Sequence, residues 1–181
     1  MTETYDSRTV FLHWLSAALV LLLWTLGQSI DWFPRGAPRV TVRSLHITLG
    51  VLLALVLVVR VAWRRSGGVK LAAADPGLAG KAAVGVHHLL YLLLLGAVVL
   101  GLASVWIRGD TLFNLFTVPA FDPGNKELRE QAVDLHGLVA NCLLGLAALH
   151  GAAALWHHLR LKDGVLRRMW PGLKATRQAT D

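Results

Sequence analysis

The chain has 181 residues, of which 55% are apolar and only 16% charged, against about 25% charged in an average soluble domain. A mean hydropathy of +0.53 excludes a disordered chain, and a single cysteine, Cys142, excludes an internal disulfide framework. The net charge of +7 would suit a nucleic-acid binder. The basic residues instead flank long apolar stretches, so they read as membrane-facing loops against lipid, and no nucleic-acid partner is expected.

One membrane crossing takes about 20 mostly apolar residues, and four stretches qualify. They run from Val10 to Ile30, Val42 to Trp63, Ala82 to Ile107 and Ala132 to Leu159. Gln28, Thr48, Ser104 and Asn141 are isolated polar interruptions that a bundle interior can absorb. Leu and Ala dominate each stretch and turn residues lie between them, which predicts helices; barrel strands would be shorter and strictly alternating. The segment before the first span carries Glu3, Asp6 and Arg8, and no A-x-A site ends the apolar run. A retained helix is therefore expected there rather than a cleaved signal peptide. The connections run from Asp31 to Thr41, Arg64 to Lys81 and Arg108 to Glu130, with Pro34, Pro38, Gly67, Gly68, Pro76, Pro119, Pro123 and Gly124 among them. With the N-terminus inside, Lys and Arg number twelve on the inner side and six on the outer. Positive charge collects on the cytoplasmic side, so both termini are expected in the cytoplasm.

All eight histidines fall in or at the end of a span: His13, His46, His87, His88, His136, His150, His157 and His158. Ionisable residues in membrane helices are costly and usually functional. One such residue could simply bond a neighbouring helix; eight in four spans ask for another reason. Depth sorts them, with His46 and His136 near the outer face and His13, His87, His88, His157 and His158 near the inner one. His150 follows His136 by fourteen residues, a rise of about 21 Å with the two side chains within about 40° of each other. One face of the fourth span thus carries an outer and an inner imidazole. His46 lies at the depth of His136, and His13 at roughly that of His150, although His87, His88 and His157 also compete for His150. Stacked cross-helix imidazole pairs suit two bis-histidine haems. Zinc, which gathers four ligands at about 2 Å, suits them less.

Gly50 lies one turn beyond His46 on the same face, and Gly137 and Gly151 directly follow two of the candidate ligands. Such glycines leave room for a porphyrin, and equally suit ordinary helix packing. Arg60 is fourteen residues after His46, on the same face near the inner boundary. It is placed to neutralise the propionates of an inner haem, or to snorkel as a positive-inside arginine.

Six segments in order resemble the bacterial cytochrome b561 family: FLHWL (Phe11 to Leu15), SLHITLG with VVRVAWR (Ser44 to Arg64), HHLLYLLLL (His87 to Leu95), WIRGDTLF (Trp106 to Phe113), LHGLVAN (Leu135 to Asn141) and LHGAAALWHH (Leu149 to His158). The resemblance covers about residues 5–171, leaving 172–181 as a basic cytoplasmic tail expected to be disordered. It implies an all-α, four-helix transmembrane bundle of the bacterial inner membrane enclosing two b haems. His13 and His150 would bind one haem, and His46 and His136 the other. Shorter members resemble a superoxide:ubiquinone oxidoreductase that takes electrons from superoxide outside and delivers them to membrane quinone. In that reading His157 belongs to the quinone site, a role for which His87, His88 and His158 also compete; a helix-capping histidine is the plainer account.

Two six-coordinate irons would leave no axial position for a substrate, so outer-sphere electron transfer is the expected chemistry. Arg35, Arg39, Arg43 and Arg108 are candidates to attract an anionic donor, opposed by Asp110, Asp122, Glu127, Glu130 and Asp134. Trp14, Trp106 and Trp156 suit an aromatic belt and Cys142 plain packing. The alternative function is a membrane anchor and electron relay for a separate dehydrogenase or hydrogenase subunit; the short loops favour the self-contained enzyme. A histidine-lined proton or metal transporter would be colourless.

Overall fold

The structure, a computed structural model, describes residues 4–72 and 77–173. Four helices carry it: α1 (Ser7–Ser29), α2 (Ala37–Ser66), α3 (Leu78–Arg108) and α4 (Lys126–Trp156). All four are long and apolar enough to cross a membrane. Residues 174–181, most of the expected basic tail, lie outside the described residues, as does Pro76.

The helices outrun the apolar stretches at six of their eight ends, because their caps lie in the polar flanks; α1 stops one residue short, at Ser29, and α4 three residues short, at Trp156. Asp6 caps α1 by accepting from the Thr9 N–H at 2.9 Å, and Asn125 caps α4 by accepting from the Leu128 N–H at 2.9 Å. Pro38 lies in the first turn of α2, where a missing N–H costs nothing, so the helix starts four residues before the expected connection ends. Gly109 closes α3 in the left-handed region at φ 68°. A Cβ there would lie 2.8 Å from that of Ala120, which restricts the position to glycine. The third connection holds an element not expected from sequence, a small antiparallel pair of β1 (Thr111–Leu112) and β2 (Phe116–Thr117). The Phe113 N–H donates to Oγ of the fully buried Ser44 at 2.8 Å, pinning this hairpin to α2. Beyond α4 the chain turns through a π-helical stretch at His157–Leu161.

α1 packs most extensively on α2 and α3 on α4, while α1 and α4 touch little. The bundle is therefore two helical hairpins with looser contact across the seam. Its core is small: Leu19, Leu23, Leu53, Val56, Leu57, Leu94, Ala97 and Leu143. Large apolar side chains such as Leu21, Val58, Leu92 and Leu149 face outward, as expected where the surroundings are lipid. Intramembrane hydroxyls are satisfied locally: Ser16, Ser44, Thr48 and Ser104 donate to the carbonyls of Leu12, Val40, Ser44 and Leu100.

The end holding residues 5–14 and 166–170 is fastened through Asp6. Its carboxylate accepts from Thr9, from the Trp63 indole at 2.9 Å and from the Val69 N–H at 3.0 Å, joining α1, α2 and the following connection. Burial opposes ionisation, but these donors outweigh it and hold the group below the usual carboxylate range. The stabilisation is then complete above about pH 4 and is lost as the pH falls through the lower folded value. Asp6→Asn, which turns one acceptor into a donor, is expected to lower the thermal midpoint in detergent by a few degrees at neutral pH and to flatten its acid dependence. An unchanged acid limb would exclude this role.

Candidate cofactor site

Two pairs of imidazoles span the seam between the hairpins. Near the end that carries the β-hairpin, His46 of α2 faces His136 of α4, with ring centroids 6.1 Å apart and planes at 90°. The His46 Nδ1–H donates to the Leu23 carbonyl of α1 at 3.0 Å. The His136 Nδ1–H donates to the Ala97 carbonyl of α3, also at 3.0 Å. Each ring is thus fixed by the other helix of its own hairpin, and the bond made by Nδ1 leaves Nε2 with its lone pair. Two glycines make room for these rings. A Cβ on Gly27 would stand 3.2 Å from Cε1 of His46, and one on Gly101 would stand 3.1 Å from Cε1 of His136.

Toward the opposite end, His13 of α1 faces His150 of α4 at 6.4 Å and 76°. A metal–imidazole bond of about 2 Å on each side, with a ring radius of about 1.2 Å beyond it, separates two rings on one ion by about 6.4 Å. Both pairs have this spacing. A porphyrin would supply the remaining four ligands. The outer pair fits such a group in spacing and in its free Nε2 lone pairs; the inner pair fits it in spacing, and ligation through His13 Nε2 would require Arg60 to leave Nδ1. His87 also approaches His150, at 5.1 Å, which is too close for an ion between the two rings in line. Between the pairs, the Trp24 indole donates to Asn141 Oδ1 at 2.8 Å, a bond from α1 to α4 across the seam.

Gly50 and Gly137 are half-buried and Gly151 exposed, with nothing within 4 Å of where a Cβ would be. They do not make tight helix contacts, the second of the two readings that their positions allow. Arg60 lies against His13: its Nη2 donates to His13 Nδ1 at 3.1 Å, and its guanidinium lies over the Tyr91 ring.

The other candidates divide. His157 bonds Asp163, the two joined through Nδ1 and Oδ2. The chain reverses here through Lys162 at φ 52° and Gly164 at φ 78°. The histidine bond and the Val165 N–H outweigh partial burial and lower the Asp163 pKa. His88 bonds the Val84 carbonyl of its own helix, and His158 is half-buried. Trp14 donates to the Met169 carbonyl at 2.8 Å and stacks edge-on with Trp170, so it fastens the C-terminal segment as well as lining a span end. Trp106 meets Phe121 and Trp156 lies under Arg160. Cys142 is exposed, so packing does not account for it.

Near the β-hairpin a cavity of about 500 Å³ is lined by Arg43, Arg108, Arg129, Asp110, Glu130 and Asp134, among others. Of the expected basic cluster, Arg39 pairs with Asp31 at 3.1 Å, and Arg43 and Arg108 share the buried Asp110 at 3.5 and 3.4 Å. The charge at this end is therefore largely balanced. Sequence reasoning missed the Leu23 and Ala97 carbonyls, which leave no mark in a sequence, and Arg129 and Asp163. Gly27 and Gly101 did carry a signal, glycine inside an apolar helix.

A family model for prokaryotic cytochrome b561 matches residues 4–172. The chain is 28% identical over 173 residues to cytochrome b561 homolog 1 of Escherichia coli K12, covering 94% of this chain and 98% of that one. It is 29% identical over 175 residues to a probable superoxide oxidase CybB of Yersinia pestis, with the same coverage. Against cytochrome b561 homolog 2 of Escherichia coli K12 it is 33% identical over 180 residues, covering 92% and 91%. With four apolar helices bridged by facing imidazoles, and the family pattern running nearly end to end, the chain belongs to the prokaryotic cytochrome b561 family of haem b-binding membrane electron-transfer proteins.

Proposed function

We propose that the protein is a self-contained di-haem oxidoreductase that oxidises superoxide at the periplasmic face and reduces ubiquinone within the inner membrane. The observation that carries this reading is the pair of imidazole couples at 6.1 and 6.4 Å, both bridging the seam. His46 and His136 hold an outer haem, and His13 and His150 an inner one, each able to take up and release one electron when bound. The similarity to a probable superoxide oxidase supports the donor, and the excess of Lys and Arg on the side of the termini supports a cytoplasmic placement of both.

Held by an imidazole on either side, from His46 with His136 and from His13 with His150, such a group would supply outer-sphere electron transfer rather than oxygen chemistry. Two superoxide anions each lose one electron and leave as dioxygen; one quinone gains two electrons and two protons and becomes quinol. The protons call for a titratable side chain near the inner couple. His157, about two turns beyond His150 on the same face, fills that role, and Asp163 orients its ring. Arg60 lies near enough to the inner couple to neutralise propionates as well.

Quinone reduction driven by a superoxide source in detergent or vesicles tests the activity. A rate well above the uncatalysed background is expected. His157→Ala should cut it at least tenfold without changing the haem content, and Asp163→Asn, which leaves the ring without its orienting carboxylate, should give a smaller loss. A background rate in the wild type would leave only electron carriage. A soluble subunit that always co-purifies would favour the membrane-anchor alternative.

A further inference from the structure

The connection between α3 and α4 is charged at both of its ends, but residues 111–121, TLFNLFTVPAF, carry no charge. Leu115 is 90% exposed and Phe116 59%, and Phe113 and Phe121 are exposed as well. A loop standing in water rarely turns so much apolar surface outward.

Two backbone bonds fix the level at which this segment stands. The Phe113 N–H donates to Oγ of Ser44 at 2.8 Å, and the Phe121 N–H donates to the Trp106 carbonyl at 3.0 Å. Ser44 and Trp106 both belong to apolar stretches that cross the membrane, 42–63 in α2 and 82–107 in α3. Between these ties the Val118 N–H returns to the Asp110 carbonyl at 3.0 Å, so the chain is folded back rather than looped outward.

The polar groups of the segment are satisfied without water. The Leu115 N–H closes the turn on the Leu112 carbonyl at 2.9 Å. β1 and β2 pair Thr111 with Thr117 and Leu112 with Phe116, and the two threonine hydroxyls bond each other at 3.0 Å. An aqueous loop can leave its amides to solvent; a segment next to hydrocarbon has to close them internally.

We propose that residues 111–121 lie in the lipid–water interface at this end of the bundle, with Leu115 and Phe116 inserted among the acyl chains of the adjoining leaflet. Apolar side chains reaching a short way into a leaflet are what hold a surface element on a membrane, and aromatic rings favour that level. Lipid is the occupant, rather than a protein partner, because both ties lie within membrane-crossing stretches. Thr111 of the same hairpin lines the cavity of about 500 Å³ at this end. The hairpin therefore borders that cavity with one strand and lipid with its tip.

The test places a nitroxide on a single cysteine, Leu115→Cys or Phe116→Cys, in the holoprotein carrying Cys142→Ala and reconstituted in phosphatidylcholine vesicles. Leu92→Cys, on the outward side of α3, is the lipid reference, and Lys126→Cys, at the exposed start of α4, is the water reference. Power saturation of the electron paramagnetic resonance signal compares collisions with oxygen, which concentrates in lipid, and with a water-soluble nickel chelate. The oxygen-to-nickel ratio at positions 115 and 116 is expected to stand severalfold above that at 126 and to approach that at 92. A ratio no higher than at 126 puts the tip in water and overturns the proposal. Collisions with neither reagent, together with dipolar broadening from a neighbouring nitroxide, would put a second copy of the chain over the tip and overturn it as well.

Discussion

Replacing His136 by alanine is expected to halve the haem content, from two per chain to one, and to spare the low-spin spectrum of the haem that remains. His46 alone would then face an opening where its partner ring stood at 6.1 Å. The inner couple, about four turns away along α4, keeps both of its imidazoles. His150→Ala should do the converse, removing the inner haem and leaving the outer. Alanine is a better helix former than histidine, so α4 itself is not weakened, and far-ultraviolet circular dichroism should stay unchanged. Haem per chain, measured after extraction, gives the result directly. Two haems retained in either variant would break the pairing.

The second large effect comes from a residue that touches no cofactor. A Cβ at Gly101 would lie 3.1 Å from Cε1 and 3.4 Å from Nδ1 of His136, tighter than ordinary contact. The ring has little freedom to yield, because its Nδ1–H is held by the Ala97 carbonyl. Gly101→Val should therefore push His136 out of line and drop the haem content to one per chain, the outer haem being lost. Gly101→Ala should keep both and change the outer potential alone. Alanine in place of a mid-helix glycine favours a helix by about 1 kcal/mol, and valine by less, so damage confined to the outer haem cannot be blamed on a weaker scaffold. Gly85→Ala, with open space around its Cβ, is the matched substitution in α3 that should retain both haems. Two unperturbed haems in Gly101→Val would mean that the glycine is not there to seat the ligand.

Much of this arrangement was legible before any coordinates. The four spans follow from apolar length, and their ends were short by a few residues because capping groups such as Asp6 and Asn125 sit in polar flanks that hydropathy does not score. The hairpin at Thr111–Thr117 was not legible, since two-residue strands carry no periodicity. Helical arithmetic put His136 and His150 on one face of α4, but it left His87 as a competitor for His150. Ring spacing separates the two rivals, 6.4 Å for His13 against 5.1 Å for His87. Arg60 was placed at the right depth, but its contact with His13 rather than with solvent could not be read from position along the helix.

Apolar length and a fixed rise per residue are properties of one helix at a time, so the order of residues is enough to set the four membrane crossings and the depth of each histidine. Which rings face each other, which carbonyls hold them and where a cation stands behind one of them emerge only when the helices pack. Those depend on how the two hairpins meet across the seam, and a backbone carbonyl or a glycine-sized gap is specified by a neighbouring helix, far away in the chain.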